Sequence, residues 1–78
     1  MSDEFSVVVF YDAEWHDYVR RNVSAREACE VAAKYARGPL GTSGYIQRII
    51  ITDGGDATNF EWKHGIGITF PPQAAGRR

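Results

Sequence analysis

The chain has a single cysteine, Cys29, among its 78 residues. One cysteine excludes an internal disulfide, and without a CxxC neighbour it argues against a zinc site, so we expect a reducing compartment. No apolar run approaches the roughly 20 residues that a membrane span needs. The acidic start, Met1-Ser2-Asp3-Glu4, lacks the positive charge of a signal peptide. The sequence therefore predicts a cytoplasmic protein with no membrane partner.

A surplus of positive charge is also lacking. Nine basic residues against ten acidic ones give a net charge of −1, so no global field draws the chain toward polyanions. The hydrophobic fraction of 44% and the aromatic fraction of 13% are those of a folded protein. The length predicts one small domain. We place this domain at residues 1–72 and expect a disordered tail at 73–78.

The sequence lacks a catalytic or ligand-binding signature as well. His16 and His64 stand outside any Ser/His/Asp or Cys/His pattern, so we expect neither an enzyme nor a cofactor. Asp12, Glu14 and His16 alternate as metal ligands on a strand would. A hairpin turn explains the two acidic residues better, and zinc normally needs a fuller set of ligands. We therefore predict no metal site.

Two glycine-rich stretches are interpreted as connections. Residues 38–44 have the glycines of a phosphate loop, but they follow a helix and lack the GxxxxGKS/T pattern, so we expect a flexible loop. Residues 53–56 could offer carboxylates to calcium, but they are too few for an EF-hand loop. A tight hairpin turn accounts for them.

One helix has both of its ends marked in the sequence. Ser24 and Glu27 have the spacing of a capping box, and Gly38-Pro39 ends the pattern, which predicts a helix over about 24–37. Glu30 and Lys34 are expected to pair one turn apart. The predicted apolar stripe is rich in alanine and consists of Ala25, Ala28, Cys29, Ala32, Tyr35 and Ala36. On this stripe Cys29 is expected to be a small packed hydrophobe.

Extended stretches lie on both sides of this helix. Residues 5–11 and 45–52 are apolar on both alternating faces, which is typical of central strands. Residues 15–21 have the mixed charges of an edge strand. A further strand follows the turn at 53–56, and 66–70 is either its bent continuation or a fifth strand. We predict an α+β, two-layer ββαββ fold: one helix on an antiparallel sheet of four strands, or five, in the order 2-1-3-4.

The strand register is open in the first hairpin and specific in the second. A three-residue loop in the first hairpin pairs Val19 with Val7, whereas a two-residue loop pairs Tyr18 with Val9. In the second hairpin a two-residue turn at Gly54-Gly55 places Ile49 opposite Phe60 and Arg48 opposite Glu61. This register puts apolar residues on one face and an opposite-charge pair on the other.

A single helix covers one face of a sheet, so the helix-free face is our candidate for function. The candidate interaction surface consists of Val8, Phe10, Tyr18, Arg20, Ile46, Arg48 and Ile50. The leading hypothesis is a non-enzymatic interaction or regulatory module. It pairs with another protein, or with itself as a homodimer, through this face or through an edge strand.

An RNA- or single-stranded DNA-binding module is the alternative hypothesis. Sheets that stack bases mix aromatic and basic residues, and Phe10 and Tyr18 could serve as platforms beside Arg20, Arg48 and Lys63. The neighbouring Glu61 and the net charge of −1 argue against it.

The last third of the chain carries a resemblance. Its segments Ile51-Thr52-Asp53-Gly54-Gly55-Asp56, Phe60-Glu61-Trp62-Lys63 and Gly65-Ile66-Gly67-Ile68-Thr69-Phe70-Pro71 resemble those of short, uncharacterised bacterial proteins of the proteobacterial type. The resemblance implies a cytoplasmic bacterial protein and provides no catalytic residue to transfer.

Overall fold

The computed structural model describes residues 3–12 and 14–71 as one five-stranded antiparallel sheet with one main helix. The elements are β1 (Phe5–Phe10), β2 (His16–Val23), α1 (Ala25–Arg37), α2 (Pro39–Thr42), β3 (Arg48–Thr52), β4 (Thr58–Lys63) and β5 (Gly67–Phe70). The strand order is β2-β1-β3-β4-β5. The α+β prediction is confirmed, with the region around 66–70 contributing a separate fifth strand. The predicted tail at 73–78 lies outside the described residues.

Helix α1 is bounded by the caps that the sequence indicates. The backbone N–H of Glu27 donates to the Ser24 hydroxyl oxygen at 3.1 Å, which is one half of the predicted capping box. At the other end, the backbone N–H of Gly38 donates to the Lys34 carbonyl at 3.0 Å. The helix therefore begins and ends where local chemistry alone satisfies its terminal groups.

The surface of α1 differs from the prediction in its buried stripe and in its ion pair. The residues buried against the sheet are Ala28, Val31 and Ala32, of which Val31 was not in the predicted stripe. Ala25 and Cys29 are exposed, so their predicted places on the stripe, and the prediction of a packed cysteine, are wrong. Cys29 lines a cavity with Phe60 and Trp62 of β4 on the flank of the helix. The predicted Glu30–Lys34 pair is also wrong, since Glu30 pairs with Arg26 at 3.5 Å.

The stretch 38–44 is more ordered than the predicted loop because Pro39–Thr42 forms the helical turn α2. Proline suits the start of a helix, where a missing N–H has no consequence. Gly41 packs directly on the end of α1: a Cβ at this position would lie 2.3 Å from the Tyr35 carbonyl oxygen and 2.5 Å from that of Ala36. Only glycine allows the two helices to approach this closely.

The core lies between α1 and one face of the central strands. Its buried residues are Val7, Val9, Ala28, Val31, Ala32, Ile46, Ile49 and Ile51. Ile46, which is 0% exposed, was predicted to face away from the helix, and that prediction is wrong. The alternation of β3 begins only at Arg48, and the backbone N–H of Ile46 donates to the Leu40 carbonyl at 3.0 Å. The chain therefore turns beneath α2 and directs Ile46 into the core.

The first hairpin has the three-residue loop, one of the two predicted registers. The backbone N–H of Tyr11 donates to the Trp15 carbonyl at 2.8 Å. Within the loop, Asp12 Oδ1 accepts from the backbone N–H groups of Glu14 and Trp15, at 2.8 and 2.7 Å. Asp12, one of the acidic residues considered as a metal ligand, therefore caps this turn.

Strand β2 is an irregular edge. Val8 pairs with Tyr18, but Val7 pairs with Arg20, so one extra residue bulges out between these pairs. The predicted pair of Val19 with Val7 is therefore not formed. A second irregularity lies before the last pair of the strand, where Asn22 has a left-handed φ of 57°. Such bulges bend an edge and re-aim its side chains.

The second hairpin is shifted by two residues from the prediction. Ile49 pairs with Trp62 and Ile51 with Phe60, rather than Ile49 with Phe60. Asp56, not a glycine, takes the left-handed position with a φ of 63°, which adds one residue to the turn. A bulge between the Ile51 and Thr52 pairs adds another. Two single-residue shifts restore the alternation beyond the bulge, so Phe60, Glu61 and Trp62 keep their predicted faces. Thr58 lies between the two shifts and pairs with Thr52, so it does not.

Asp53 organises this second turn. Its Oδ1 accepts from the backbone N–H groups of Gly55 and Ala57 at 2.9 and 3.1 Å, and its Oδ2 accepts from Asn59 Nδ2 at 3.1 Å. The bond from Asn59, together with the backbone bonds, lowers the pKa of the Asp53 carboxyl. These donors lie in the turn or at the start of β4, so the carboxylate has a structural role here.

Candidate functional site

The helix-free face of the sheet carries most of the candidate surface. Val8 lies between Tyr18 on β2 and Ile50 on β3, and Phe10 lies between His16 and Arg48. Side chains of directly paired residues share a face, so these residues form one contiguous patch. The patch includes five predicted residues, Val8, Phe10, Tyr18, Arg48 and Ile50.

Arg20 and Ile46 do not belong to this patch. Ile46 is in the core, as described above. The β2 bulge places Arg20 on the helix side, where it lines a cavity with Val31 and Lys34, so its predicted place on the helix-free face is wrong. Arg21 takes that place, with its guanidinium carbon 4.0 Å from the centre of the Tyr18 ring.

Aromatic rings and guanidinium groups form a layer on this face. The ring centres of Phe10 and His16 are 5.1 Å apart, and those of His16 and Tyr18 are 6.0 Å apart. The guanidinium carbon of Arg48 lies 4.8 Å from the centre of the Phe10 ring. These contacts hold the charged groups through cation–π attraction. We call the five residues Phe10, His16, Tyr18, Arg21 and Arg48 the stacked surface.

The apolar centre of the face is less open than the sequence suggests. Val8 is only 2% exposed and Ile50 only 9%, although no helix lies on this side. Tyr18, in contrast, is 44% exposed. A partner on this face would therefore meet rings and guanidinium groups rather than aliphatic side chains.

Glu61 anchors one side of the stacked surface. It forms an ion pair with Arg48 and accepts a hydrogen bond from the Thr69 hydroxyl at 2.6 Å. The predicted pairing of Arg48 with Glu61 is diagonal rather than direct, because Arg48 lies opposite Lys63. The bond from Thr69, and then those from Arg48, lower the pKa of the Glu61 carboxyl despite its desolvation.

This lowered pKa predicts a pH dependence of stability. A carboxyl whose pKa is lower in the folded state contributes stability above its unfolded pKa, and that contribution is lost as the pH falls through the folded value. We expect the free energy of unfolding to fall more between about pH 7 and about pH 3 in the wild type than in Glu61→Gln. Urea unfolding at both pH values measures this difference. Glu14→Gln, with an exposed side chain, should keep the wild-type dependence, and an unchanged dependence in Glu61→Gln would contradict the prediction.

No protein-family model, curated protein or solved structure matches this chain. The resemblance of the last third to proteobacterial proteins stays an expectation.

The two histidines have separate surroundings. His16 stacks within the stacked surface, whereas His64 Nδ1 lies 3.0 Å from the Gly41 carbonyl oxygen and its ring contacts Trp62. Within residues 3–12 and 14–71, no group of three or more His, Cys, Asp or Glu side chains is arranged to hold a metal ion. In the same residues, no helix is long and apolar enough to cross a membrane.

Sequence reasoning missed Arg21 and His16 as members of the site. Regular alternation along β2 would put Arg20 on the helix-free face, but the bulge puts Arg20 on the helix side and Arg21 on the helix-free face. One signal was available: Asn22 is a residue type that tolerates the left-handed conformation, and such a residue within a strand can mark a bulge.

Proposed function

We propose that this protein is a non-enzymatic interaction module that binds a protein partner through the stacked surface. The observation that carries the proposal is the layer of aromatic rings and guanidinium groups on the helix-free face. Tyrosine and arginine are enriched among the residues that dominate binding energy at protein interfaces. Rings that already hold the guanidinium groups reduce the side-chain entropy lost on binding.

The face is favoured over the edge strands as the mode of pairing. Strand β2 at one edge contains register shifts and a left-handed Asn22. Strand β5 at the other edge has four residues and a register shift of its own. Short and bulged edges are poor templates for an added strand.

The charge on the face favours an acidic partner over a second copy. Arg21 and Lys63 lie on or beside the stacked surface and form no ion pair among the described residues, whereas Arg48 is paired with Glu61. Asp12 lines the same cavity as Lys63, but its carboxylate already accepts two hydrogen bonds from its own turn. In a two-fold dimer the same patch meets itself, which would bring these cations together. Carboxylates of a different protein would complement them.

Affinity capture from the source cell, comparing wild type with Tyr18→Ala/Arg21→Glu, tests this proposal. We expect the variant to lose a partner that the wild type retains, and to bind the purified partner at least about tenfold more weakly in calorimetry. Tyr45→Ala is the matched control, since Tyr45 is 62% exposed and lies outside the stacked surface. Equal capture by all three proteins would contradict the proposal.

Light scattering after size exclusion separates the two kinds of partner. We expect a monomer of 8.7 kDa at micromolar concentration. This result would mean that the proposed partner is a different protein. A dimer that Tyr18→Ala/Arg21→Glu dissociates would show instead that the chain pairs with itself through the same face.

Single-stranded nucleic acid is the second candidate for the same face. It is favoured by the two rings, Phe10 and Tyr18, which lie on a sheet beside three cations. A binding titration with mixed-sequence oligonucleotides at rising salt distinguishes it, because contacts with phosphate weaken steeply with salt. Absence of salt-sensitive binding would remove this candidate.

A further inference from the structure

A second feature lies on the other side of the sheet, between the end of α1, the turn α2 and the edge strand β2. It is a cavity of about 410 Å³ lined by Arg20, Val31, Lys34, Tyr35, Gly38, Pro39 and Leu40. We call it the cationic cleft. Its volume falls within the usual range of small-molecule sites. It is distinct from the stacked surface and independent of the proposed function.

Arg20 reaches this cleft because of the β2 bulge. The bulge pairs Arg20 with Val7, whose side chain is in the core beneath α1. Arg20 Nη1 donates to the Val19 carbonyl at 2.7 Å, and this bond holds the Arg20 side chain against β2. A guanidinium has five N–H donors, so most of them stay available for a ligand.

Lys34 provides a second cation at the same place. The acidic residue one turn before it, Glu30, pairs with Arg26. Among the residues that the structure describes, Lys34 forms no ion pair. Glu27 and Glu30 line a neighbouring cavity together with Arg20, Val31 and Lys34, but neither carboxylate forms an ion pair with Arg20 or Lys34. No acidic side chain from the described part of the chain lines the cleft itself.

The rest of the cleft is apolar. Val31 is 8% exposed and provides a buried wall, whereas Leu40 is 44% exposed at the opening. Tyr35 and Pro39 complete the lining. The cleft therefore combines an apolar trough for a hydrocarbon with two cations that have no carboxylate partner among the described residues.

We propose that the cationic cleft binds a small amphipathic carboxylate, a free medium-chain monocarboxylic acid. The hydrocarbon lies against Val31, Tyr35 and Leu40, and the carboxylate accepts hydrogen bonds from Arg20 and Lys34. Charge-assisted bonds of this kind are stronger than neutral ones. The carboxylate also supplies a negative charge, which none of the described residues lining the cleft provides.

An amide chemical-shift titration with sodium octanoate tests this site. Saturable shifts are expected at Lys34, Gly38 and Leu40, with a Kd on the order of 1 mM for a ligand of this size. Octanol supplies the tail without the charge, and acetate supplies the charge without the tail, so both should bind far more weakly. Mixed phosphatidylcholine and phosphatidylglycerol vesicles test the other source of such chemistry, a lipid surface. Binding to vesicles without saturable octanoate shifts would overturn the proposal.

Substitutions locate the ligand. Lys34→Gln and Arg20→Gln should each weaken octanoate binding by about three- to tenfold, because each removes one charge-assisted bond. Arg37→Gln is the matched control, since Arg37 is an exposed cation on the same helix that lines a different cavity. Lys34 is exposed, so Lys34→Gln should fold normally. Acetate binding as tightly as octanoate, or Arg37→Gln weakening binding as much as Lys34→Gln, would also overturn the proposal.

Discussion

Gly41→Ala is expected to destabilise the protein by about 3 kcal/mol or more, at the upper end of what overpacking does. The added methyl would lie 2.3 Å from the Tyr35 carbonyl oxygen and 2.8 Å from the Ala36 carbonyl carbon. These are backbone atoms at the end of α1, so no side-chain rotation can relieve the clash. The protein would have to move α2 away from α1, which would also move Ile46, whose N–H is bonded to Leu40.

This effect is large relative to the total stability, which for a domain of this length is about 4–12 kcal/mol. Gly55→Ala is the matched control, because its Cβ would meet only Asp53 Oδ1, at an ordinary 3.6 Å. We expect that variant to stay within about 0.5 kcal/mol of the wild type. Urea unfolding of the three proteins measures both values. Equal midpoints for Gly41→Ala and Gly55→Ala would contradict the close packing of Gly41 on the end of α1.

Ile46→Ala is expected to destabilise the protein by about 2–5 kcal/mol. The side chain is fully buried beside Val7, Val9 and Ile49. Truncation therefore loses its transfer free energy and leaves a cavity that the surrounding strands cannot close completely.

Ile66→Ala provides the comparison for this second prediction. Ile66 is 73% exposed in the turn between β4 and β5, so the same chemical change should alter stability by less than about 0.5 kcal/mol. Thermal unfolding followed by circular dichroism is sufficient to rank the two variants. A similar loss in both would place Ile46 at the surface, as the sequence pattern had suggested.

The part of the fold that the sequence predicted well depends on local chemistry. The caps of α1 are formed by Ser24 and Gly38, which act on their own neighbours, so spacing alone locates the helix. The central position of β1 and β3 follows from strands that are apolar on both faces. These features need no knowledge of distant contacts.

The errors arose where one residue's conformation shifts everything after it. Asp56 takes a left-handed φ that the sequence offered equally to Gly54 or Gly55, and the register of the second hairpin moved accordingly. Ile46 continues the apolar pattern of β3, but it lies before the strand begins at Arg48. Its orientation is set instead by the hydrogen bond from its backbone N–H to the Leu40 carbonyl in α2. Periodicity cannot show where an extended segment joins the sheet.

The sequence was sufficient to predict which face of the sheet carries the candidate site, but not all of the residues on that face. Pairing along β1 and β3 places Phe10 and Arg48 together, and this follows from alternation once the strand order is known. The exchange of Arg20 for Arg21 depends on a bulge, which is a property of the paired strands and not of either residue. The cationic cleft depends on the same bulge, so it could not be anticipated.

The irregular edges of the sheet also determine what kind of assembly this chain can enter. Head-to-tail pairing of β2 from one molecule with β5 of the next leaves a free edge on each added molecule, so it leads to filaments without a defined end. The register shifts in β2 and the four-residue length of β5 oppose that growth. The contact that we propose through the stacked surface would occupy that surface, and assembly would then stop at a fixed stoichiometry.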